Sequence, residues 1–244
     1  MYDNVTLERD GRIAIVTMQR PDRRNSLSDP MLLDLSSALR ELVDDGSIGA
    51  VVLTGAPPVF SAGADSPSLK TATTEAERRQ VFGSRKTQFR RLFGRVTNQL
   101  EQLDQPVICA VNGHAVGGGW GLTLSCDFRF AAEEAQFWLP EVDLGTPLGV
   151  GSTMRLVRLA GEAMAKEIIM GCARYTAERV QAMRLLHRVV PKDDLMQEAM
   201  AYAQHLASKP AQALMQVKGN INAIARTAVA PVMVEPAGLL TRED

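Results

Sequence analysis

Residues 105–126 read QPVICAVNGHAVGGGWGLTLSC, with no Asp, Glu, Lys or Arg in the stretch. It is long enough to span a bilayer. Yet Pro106, Asn112, His114 and the glycines at 113, 117, 118, 119 and 121 would make a poor lipid-facing helix. The stretch reads instead as a buried strand over Val107 to Val111, a glycine-rich turn, and a short buried helix ending near Cys126. Strand, glycine turn and helix in that order mark a sheet-and-helix protein.

The same alternation extends outward. Val5 to Leu7 and Ile13 to Thr17 are β-type runs around the turn dipeptide Asp10-Gly11. Ser28-Asp29-Pro30 supplies a cap and an early-turn proline. The helix that follows carries apolar residues at 31, 32, 35, 38, 39, 42 and 43. Ala50 to Leu53 is a continuous apolar strand. A long helix spans about Glu75 to Leu103, and Pro106 ends it. Phe128 to Ala131 and Gln136 to Leu139 are short strands. After Pro147 helices dominate: Val150 to Leu159, Glu162 to Met170 and Thr176 to Met183. Arg188 to Val190 is the last strand, and Asp193 to Ala207 and Pro210 to Ala225 are two longer helices. The order predicts an α/β protein with parallel strands, in one continuous unit, with a helical C-terminal part.

The chain has 244 residues, enough for a sizeable core without disulfides or metal. Its 45% hydrophobic and 23% charged residues are ordinary for a globular protein. With 27 Lys+Arg against 28 Asp+Glu, the net charge of −1 offers no bulk attraction to nucleic acid or anionic lipid. Cys109, Cys126 and Cys172 show no metal-ligand or disulfide spacing and read as small buried hydrophobes. A reducing, cytoplasmic setting follows as the expectation, as does the absence of a metal. Met1 to Asp10 is polar and has no signal-peptide core.

Two glycine-containing turns each follow a buried strand: Phe60-Ser61-Ala62-Gly63-Ala64-Asp65 and Asn112-Gly113-His114-Ala115-Val116-Gly117-Gly118-Gly119. The second runs into a helix start, where main-chain N–H groups are unpaired and can bind an anion. Two such donors converging would form an oxyanion hole. Neither turn is a dinucleotide or Walker fingerprint. Alone, these glycines are better explained by tight packing.

Together the motifs resemble the enoyl-CoA hydratase/isomerase (crotonase) family, in that family's order. The matching segments are Arg20-Pro21 to Ser26-Leu27, Val51 to Gly55 leading to Phe60–Asp65, Pro106 to Asp127, Phe137 to Gly145, Pro147 to Thr153 and Arg188 to Pro191. The resemblance covers about Val5 to Ala225. It implies a spiral of ββα units over residues 1–191 holding an acyl-CoA site. It also implies a helical region over 192–244 that builds a homotrimer or hexamer. Coenzyme A thioester enters as substrate, and no cofactor is bound permanently.

By the same resemblance, the N–H groups of Ala64 and Gly118 hold the thioester oxygen, Ala62, Gly63 and Asp65 line the CoA path with Gly117, and Arg24 stands near the CoA phosphates. Hydratases of the family use two glutamates, at positions matching Gly121 and Glu141. Here only Glu141 is a carboxylate. A single carboxylate suffices to move a proton from C2 to C4, so the departure favours isomerisation over hydration; Gly121→Glu is expected to restore the second acid. Hydrolysis, dehalogenation-type chemistry and a non-catalytic CoA- or RNA-binding role are the alternatives.

The remaining residues are weighed more simply. Asp65 is expected to bond its own loop backbone, and Asp143 to face solvent. Glu75 and Glu77 lie in the segment that covers the acyl pocket in relatives. His114 adjoins the second turn; His187 and His205 read as structural or exposed. Trp120 reads as core packing or, being next to Gly121, as a residue that shapes the acyl pocket. Arg78, Arg79, Arg85, Lys86, Arg90, Arg91 and Arg95 make one helix basic without forming a stripe, which favours a solvated or subunit-contact face, then CoA phosphates, and nucleic acid last.

Overall fold

A computed structural model describes residues 2–43, 45–65 and 74–227, with the side chains of 75–87 and of 150 outside that description. Strands β1 (Val5–Asp10) and β2 (Ile13–Met18) form an antiparallel hairpin in which Asp10 still pairs with Ile13. The turn is therefore Gly11-Arg12, one residue later than the sequence predicts, with Gly11 at φ +56°.

From β2 onward the chain repeats one unit: a strand in a large sheet, a short extended piece in a second layer, then a helix. After β2 comes Leu27, bridged to Ala64, and α1 (Asp29–Val43). The predicted cap is present, since Ser28 Oγ accepts from Met31 N at 3.3 Å. After β3 (Ala50–Gly55) comes Ser61, bridged to Ala115, and α2 (Glu75–Gln102). Strand β4 (Val107–Val111) is followed by β5 (Ala115–Val116) and α3 (Gly118–Thr123). Next are β6 (Phe128–Ala132), β7 (Gln136–Trp138) and α4 (Val150–Gly171). Finally β8 (Tyr175–Thr176), α5 (Ala177–Ala182) and β9 (Arg188–Val190) precede α6 (Leu195–Ala207) and α7 (Ala211–Thr227). The large sheet runs β1-β2-β3-β4-β6-β9 and the small one β5-β7-β8. The result is a spiral of ββα turns. The two-residue strands β5 and β8 escape the sequence because they are too short to carry a periodicity.

Beyond the hairpin the large sheet is parallel, and its central strands β3 and β4 are buried at every residue. Alternation along β3 and β4 sends Val51, Leu53, Val107, Cys109 and Val111 to one core, with α1 and the later part of α2. Ala50, Val52, Ile108 and Ala110 go to the other, against Leu195, Ala199, Ala203 and Leu206 of α6. Strands buried on both sides read as unbroken apolar runs, which is why residues 105–126 resemble a membrane span. Among the described residues no helix is long and apolar enough to cross a membrane.

Helix α4 contains the break that the sequence places between two helices: Gly161 has φ +79° and ψ 165°. Helix α6 is packed on this chain's own sheet, so its apolar face is already covered. Helix α7 is tied on by Lys218 Nζ to Asp127 Oδ2 at 2.7 Å and Asn222 Nδ2 to Glu101 O at 2.9 Å. Yet Val217, Ile221 and Ile224 on α7 are 56%, 60% and 70% exposed.

Candidate active site

The two glycine turns meet where the spiral brings the end of β3 beside β5. Ser61 N donates to His114 O at 3.1 Å, and Val116 N donates to Ser61 O at 3.0 Å. In the first turn nearly every donor is occupied. Ala62 N goes to Arg24 O at 2.9 Å, Gly63 N to Ser61 Oγ at 3.2 Å and Asp65 N to Leu27 O at 2.9 Å. The Ala64 N–H donates to no described residue. In the second turn Gly117 N donates to Trp138 O and Gly121 N to Gly117 O, each at 2.9 Å. Gly118, the first residue of α3, keeps its N–H free of any described partner, as a helix start does.

The free donors are neighbours. A Cβ placed on Gly118 would stand 3.9 Å from Ala64 N, and one on Gly63 would stand 3.5 Å from Gly118 N. Gly63 cannot carry a side chain: its φ is +83°, and a Cβ there would meet Val116 O at 2.5 Å. Glycine in the first turn is thus what lets the two main chains close on one another and bring the two N–H groups side by side.

Glu141 completes the site. It follows β7 in a turn held by Leu144 N to Pro140 O at 3.1 Å and Thr146 N to Glu141 O at 2.9 Å. Its Oε1 stands 2.6 Å from the position of a Cβ on Gly117. Its Oε2 is buried and has no hydrogen-bond partner among the described residues. Burial without a compensating cation raises the carboxyl to about 7. A group with that value can both accept and return a proton near neutrality. Leu27 Cδ1 and Phe93 Cε2 flank Gly118, at 3.2 and 3.5 Å from its Cβ position, and provide an apolar wall.

At Gly121 the second carboxylate is absent, as the sequence shows, and a side chain there would have to displace its neighbours. A Cβ on Gly121 would stand 2.6 Å from Ser152 Oγ and 3.0 Å from Phe93 Cζ. Restoring an acid there by a single substitution, as the sequence alone leads one to expect, runs into Ser152. Ser152 and Phe93 are the neighbours of Gly121 that sequence reasoning misses. Phe93 is one apolar residue of the long helix, and Ser152 lies within the matching segment Pro147 to Thr153 without being an acid or an oxyanion donor.

The other expected residues divide. Arg24 is exposed, with φ +51° and no ion pair among the described residues, so its guanidinium is available to an anion. Among the described residues the partner of the Asp65 carboxylate is the Arg20 guanidinium, at 3.0 Å, and Arg20 also donates to Ser26 O at 2.9 Å. Trp120 is a core residue rather than a pocket wall. It is 1% exposed, and its ring packs on Phe137 and Tyr175 at centroid distances of 5.5 and 6.3 Å. His114 stacks edge-on against Trp138 at 5.9 Å. Asp143, Arg90, Arg91 and Arg95 are exposed. The side chains of Glu75, Glu77, Arg78, Arg79, Arg85 and Lys86 lie outside the described residues.

A ββα spiral that sets two free main-chain donors beside one buried carboxylate defines a class of enzymes that work on a polarised carbonyl. Residues 8–239 match the family profile described as Enoyl-CoA hydratase/isomerase, and the chain belongs to that family. It is 38% identical over 221 residues to the short-chain-enoyl-CoA hydratase of Clostridium acetobutylicum, covering 90% of this chain and 81% of that one. Among solved structures, an enoyl-CoA hydratase from Bacillus anthracis superimposes with a TM-score of 0.79 at 33% identity, covering 90% of this chain and 82% of that one. A monofunctional enoyl-CoA isomerase from M. smegmatis superimposes with a TM-score of 0.77 at 30% identity, covering 93% and 96%. The chain is thus a crotonase-family acyl-CoA enzyme, similar to hydratases and to an isomerase alike.

Proposed function

We propose that the enzyme shifts the double bond of a 3-enoyl-CoA thioester to the 2-position, with Glu141 as its one acid/base group. The Glu141 carboxylate takes a proton from C2. The C2–H electron pair moves into the conjugated thioester as a dienolate, and charge gathers on the thioester oxygen. The N–H groups of Ala64 and Gly118 face that oxygen; by analogy with side-chain donors each contributes about 2.7–4 kcal/mol to the transition state. Glu141, now protonated, returns the proton at C4, and the double bond lies between C2 and C3. Arg24 meets the CoA phosphates, and Ala62, Gly63 and Gly117 let the ligand lie close to the main chain. No metal and no resident cofactor takes part in these steps. The observation that carries the reading is the Glu141 carboxylate, whose buried Oε2 has no hydrogen-bond partner among the described residues.

The same reading covers assembly and location. The exposed apolar stripe of α7 is the surface by which a homotrimer or hexamer forms, and residues 192–244 are its assembly region. The cysteines are free, in keeping with a reducing cytoplasm. Hydration, the reaction printed in the names of several relatives, is the second reading. An activity panel of 3-enoyl-, 2-enoyl- and alicyclic acyl-CoAs with product analysis tests the proposal. Conversion of 3-hexenoyl-CoA to the 2-enoyl isomer supports it, and fast formation of 3-hydroxyacyl-CoA from crotonyl-CoA overturns it.

A further inference from the structure

Ser61 is bonded to both oxyanion turns at once. Its main chain belongs to the second turn: Ser61 N donates to His114 O at 3.1 Å, and Ser61 O accepts from Val116 N at 3.0 Å. Its side chain belongs to the first. Ser61 Oγ accepts from Gly63 N at 3.2 Å and donates to Asn25 O at 2.8 Å. The residue is fully buried. Helix α3 rests on it as well. A Cβ on Gly119 would stand 2.7 Å from Ser61 O, 2.9 Å from Ser61 Cβ and 3.1 Å from Ser61 Oγ. Ser61 thus holds the residue before Ala64 and lies against the residue after Gly118. Those are the two residues whose N–H groups have no partner among the described residues.

Packing alone does not call for a hydroxyl here. An alanine would fill nearly the same volume without taking a polar group out of water. The hydroxyl has two effects on the first turn. By occupying Gly63 N it leaves Ala64 N as the donor that the turn presents. By donating to Asn25 O it ties down the segment that frames the turn, where Ala62 N reaches Arg24 O and Leu27 N reaches Gly63 O. That segment is strained. Arg24 and Asn25 stand at φ +51° and +50°, two successive left-handed residues that are not glycine. Such a pair persists only where its surroundings hold it. The Asn25 side chain supplies part of the hold, through Nδ2 to Ala56 O at 2.7 Å and Val59 O at 2.8 Å. Ser61 supplies the part that faces the oxyanion turn. Without its Oγ, Gly63 N and Asn25 O both lose a buried partner, and two fewer bonds keep Ala64 N beside Gly118 N.

We propose that Ser61 is a positioning residue for the oxyanion hole: it sets the spacing of the Ala64 and Gly118 N–H groups, and through them the polarisation of the thioester carbonyl. The proposal rests on the acyl-CoA reading above, with those two donors, but not on which reaction Glu141 performs. Ser61 makes and breaks no bond and acts only through the two main chains it joins. The donors count most when charge has gathered on the thioester oxygen. Misplacing them therefore lowers kcat and leaves KM nearly unchanged.

The carbonyl itself reports the geometry. Infrared difference spectra of crotonyl-CoA, isotope-labelled at its thioester carbon and bound to Glu141→Gln protein to slow turnover, read how far the carbonyl band falls on binding. The band is expected to fall, and to fall less when Ser61→Ala is added. In the otherwise unmodified enzyme Ser61→Ala is expected to lower kcat about ten- to a hundredfold, the scale for misplaced catalytic groups, with KM within about threefold. Ser61→Cys keeps a weaker donor and acceptor at the same place. It is expected to lie between parent and Ser61→Ala in both readouts, and it carries the test alone if Ser61→Ala does not fold. A serine that only packs would lower the melting temperature and move neither readout. A carbonyl band at the parent's position, or a kcat within about twofold of the parent's, overturns the proposal. A band that does not move when crotonyl-CoA binds the protein with Ser61 intact would instead refute the oxyanion donors, and failure to bind would refute the acyl-CoA reading. Both are distinguishable from a shift lost in the variant alone.

Discussion

Glu141 Oε1 lies 2.6 Å from the point that a Cβ on Gly117 would occupy. The acid is thus seated directly on the bare main chain of the oxyanion turn. Gly117 has φ +50° and ψ −118°, a conformation open in practice only to glycine. A methyl group there must displace the carboxylate and strain the turn together. Gly117→Ala is expected to cost about 1–3 kcal/mol of stability and to lower turnover about a hundredfold, the scale for a misplaced catalytic group. Thermal melts and steady-state kinetics on one preparation check both effects.

Glu141→Gln keeps the shape and removes the base. Isomerisation of 3-hexenoyl-CoA is expected to fall by about 10²–10⁴-fold, while binding of an unreactive acyl-CoA stays within severalfold. In the parent enzyme kcat/KM should rise as pH increases through about 7, where the carboxylate forms. A flat profile from pH 6 to 8, or full activity in the variant, would remove Glu141 from the mechanism.

The same raised value has a consequence for stability. The folded carboxyl titrates near 7 against an ordinary 4.5, so between those values the folded state binds more protons than the unfolded one. That contribution is fully present below 4.5 and is lost as pH rises through 7. Glu141→Gln never had it. The variant's stability relative to the parent should therefore grow from pH 4.5 to 8, reaching at most about 3 kcal/mol. Denaturant titrations of both proteins across that range measure the difference, and a constant offset would contradict it.

Much of this was legible in the sequence, and what escaped has physical causes. The strand, glycine turn and helix of residues 105–126 could be read because β4 is a long apolar run and the turn is dense in glycine. Glu141 could be read because a family motif surrounds it. Strands β5 and β8 could not, since two residues show no period. Asp65 found the Arg20 guanidinium, and Trp120 found Phe137 and Tyr175. Those partners are 45, 17 and 55 positions away in the numbering, and pairings at that range leave no local trace. The Ser152 hydroxyl against Gly121 is a contact of the same kind, between α4 and α3.

Assembly should follow α7. Val217, Ile221 and Ile224 recur at helical spacing and stand 56%, 60% and 70% exposed, whereas the apolar face of α6 is spent on the sheet. Light scattering at micromolar concentration is expected to give the mass of a trimer or hexamer. Ile221→Asp with Ile224→Asp should lower that mass while leaving the far-ultraviolet circular dichroism unchanged. A parent protein that is monomeric would contradict the assignment of this face.

The absent second acid gives the sharpest test, because adding it back needs two substitutions. At Gly121 even a Cβ would meet Ser152 Oγ at 2.6 Å and Phe93 Cζ at 3.0 Å, and a glutamate must extend further into the same space. Gly121→Glu alone is expected to destabilise the protein by about 1–3 kcal/mol, the usual cost of overpacking, and to leave crotonyl-CoA hydration as slow as in the parent. Gly121→Glu with Ser152→Gly removes the nearer obstruction, the Oγ at 2.6 Å together with the Cβ at 3.5 Å. The aromatic edge of Phe93 remains, at the end of a side chain that can turn. The double variant should recover most of the lost stability and hydrate crotonyl-CoA faster than either single variant, since two carboxylates can then hold and activate a water. The comparison is a double-mutant cycle, and its non-additivity is the quantity to measure. Additive losses, with no gain in hydration, would show that Ser152 does not govern the space beside Gly121.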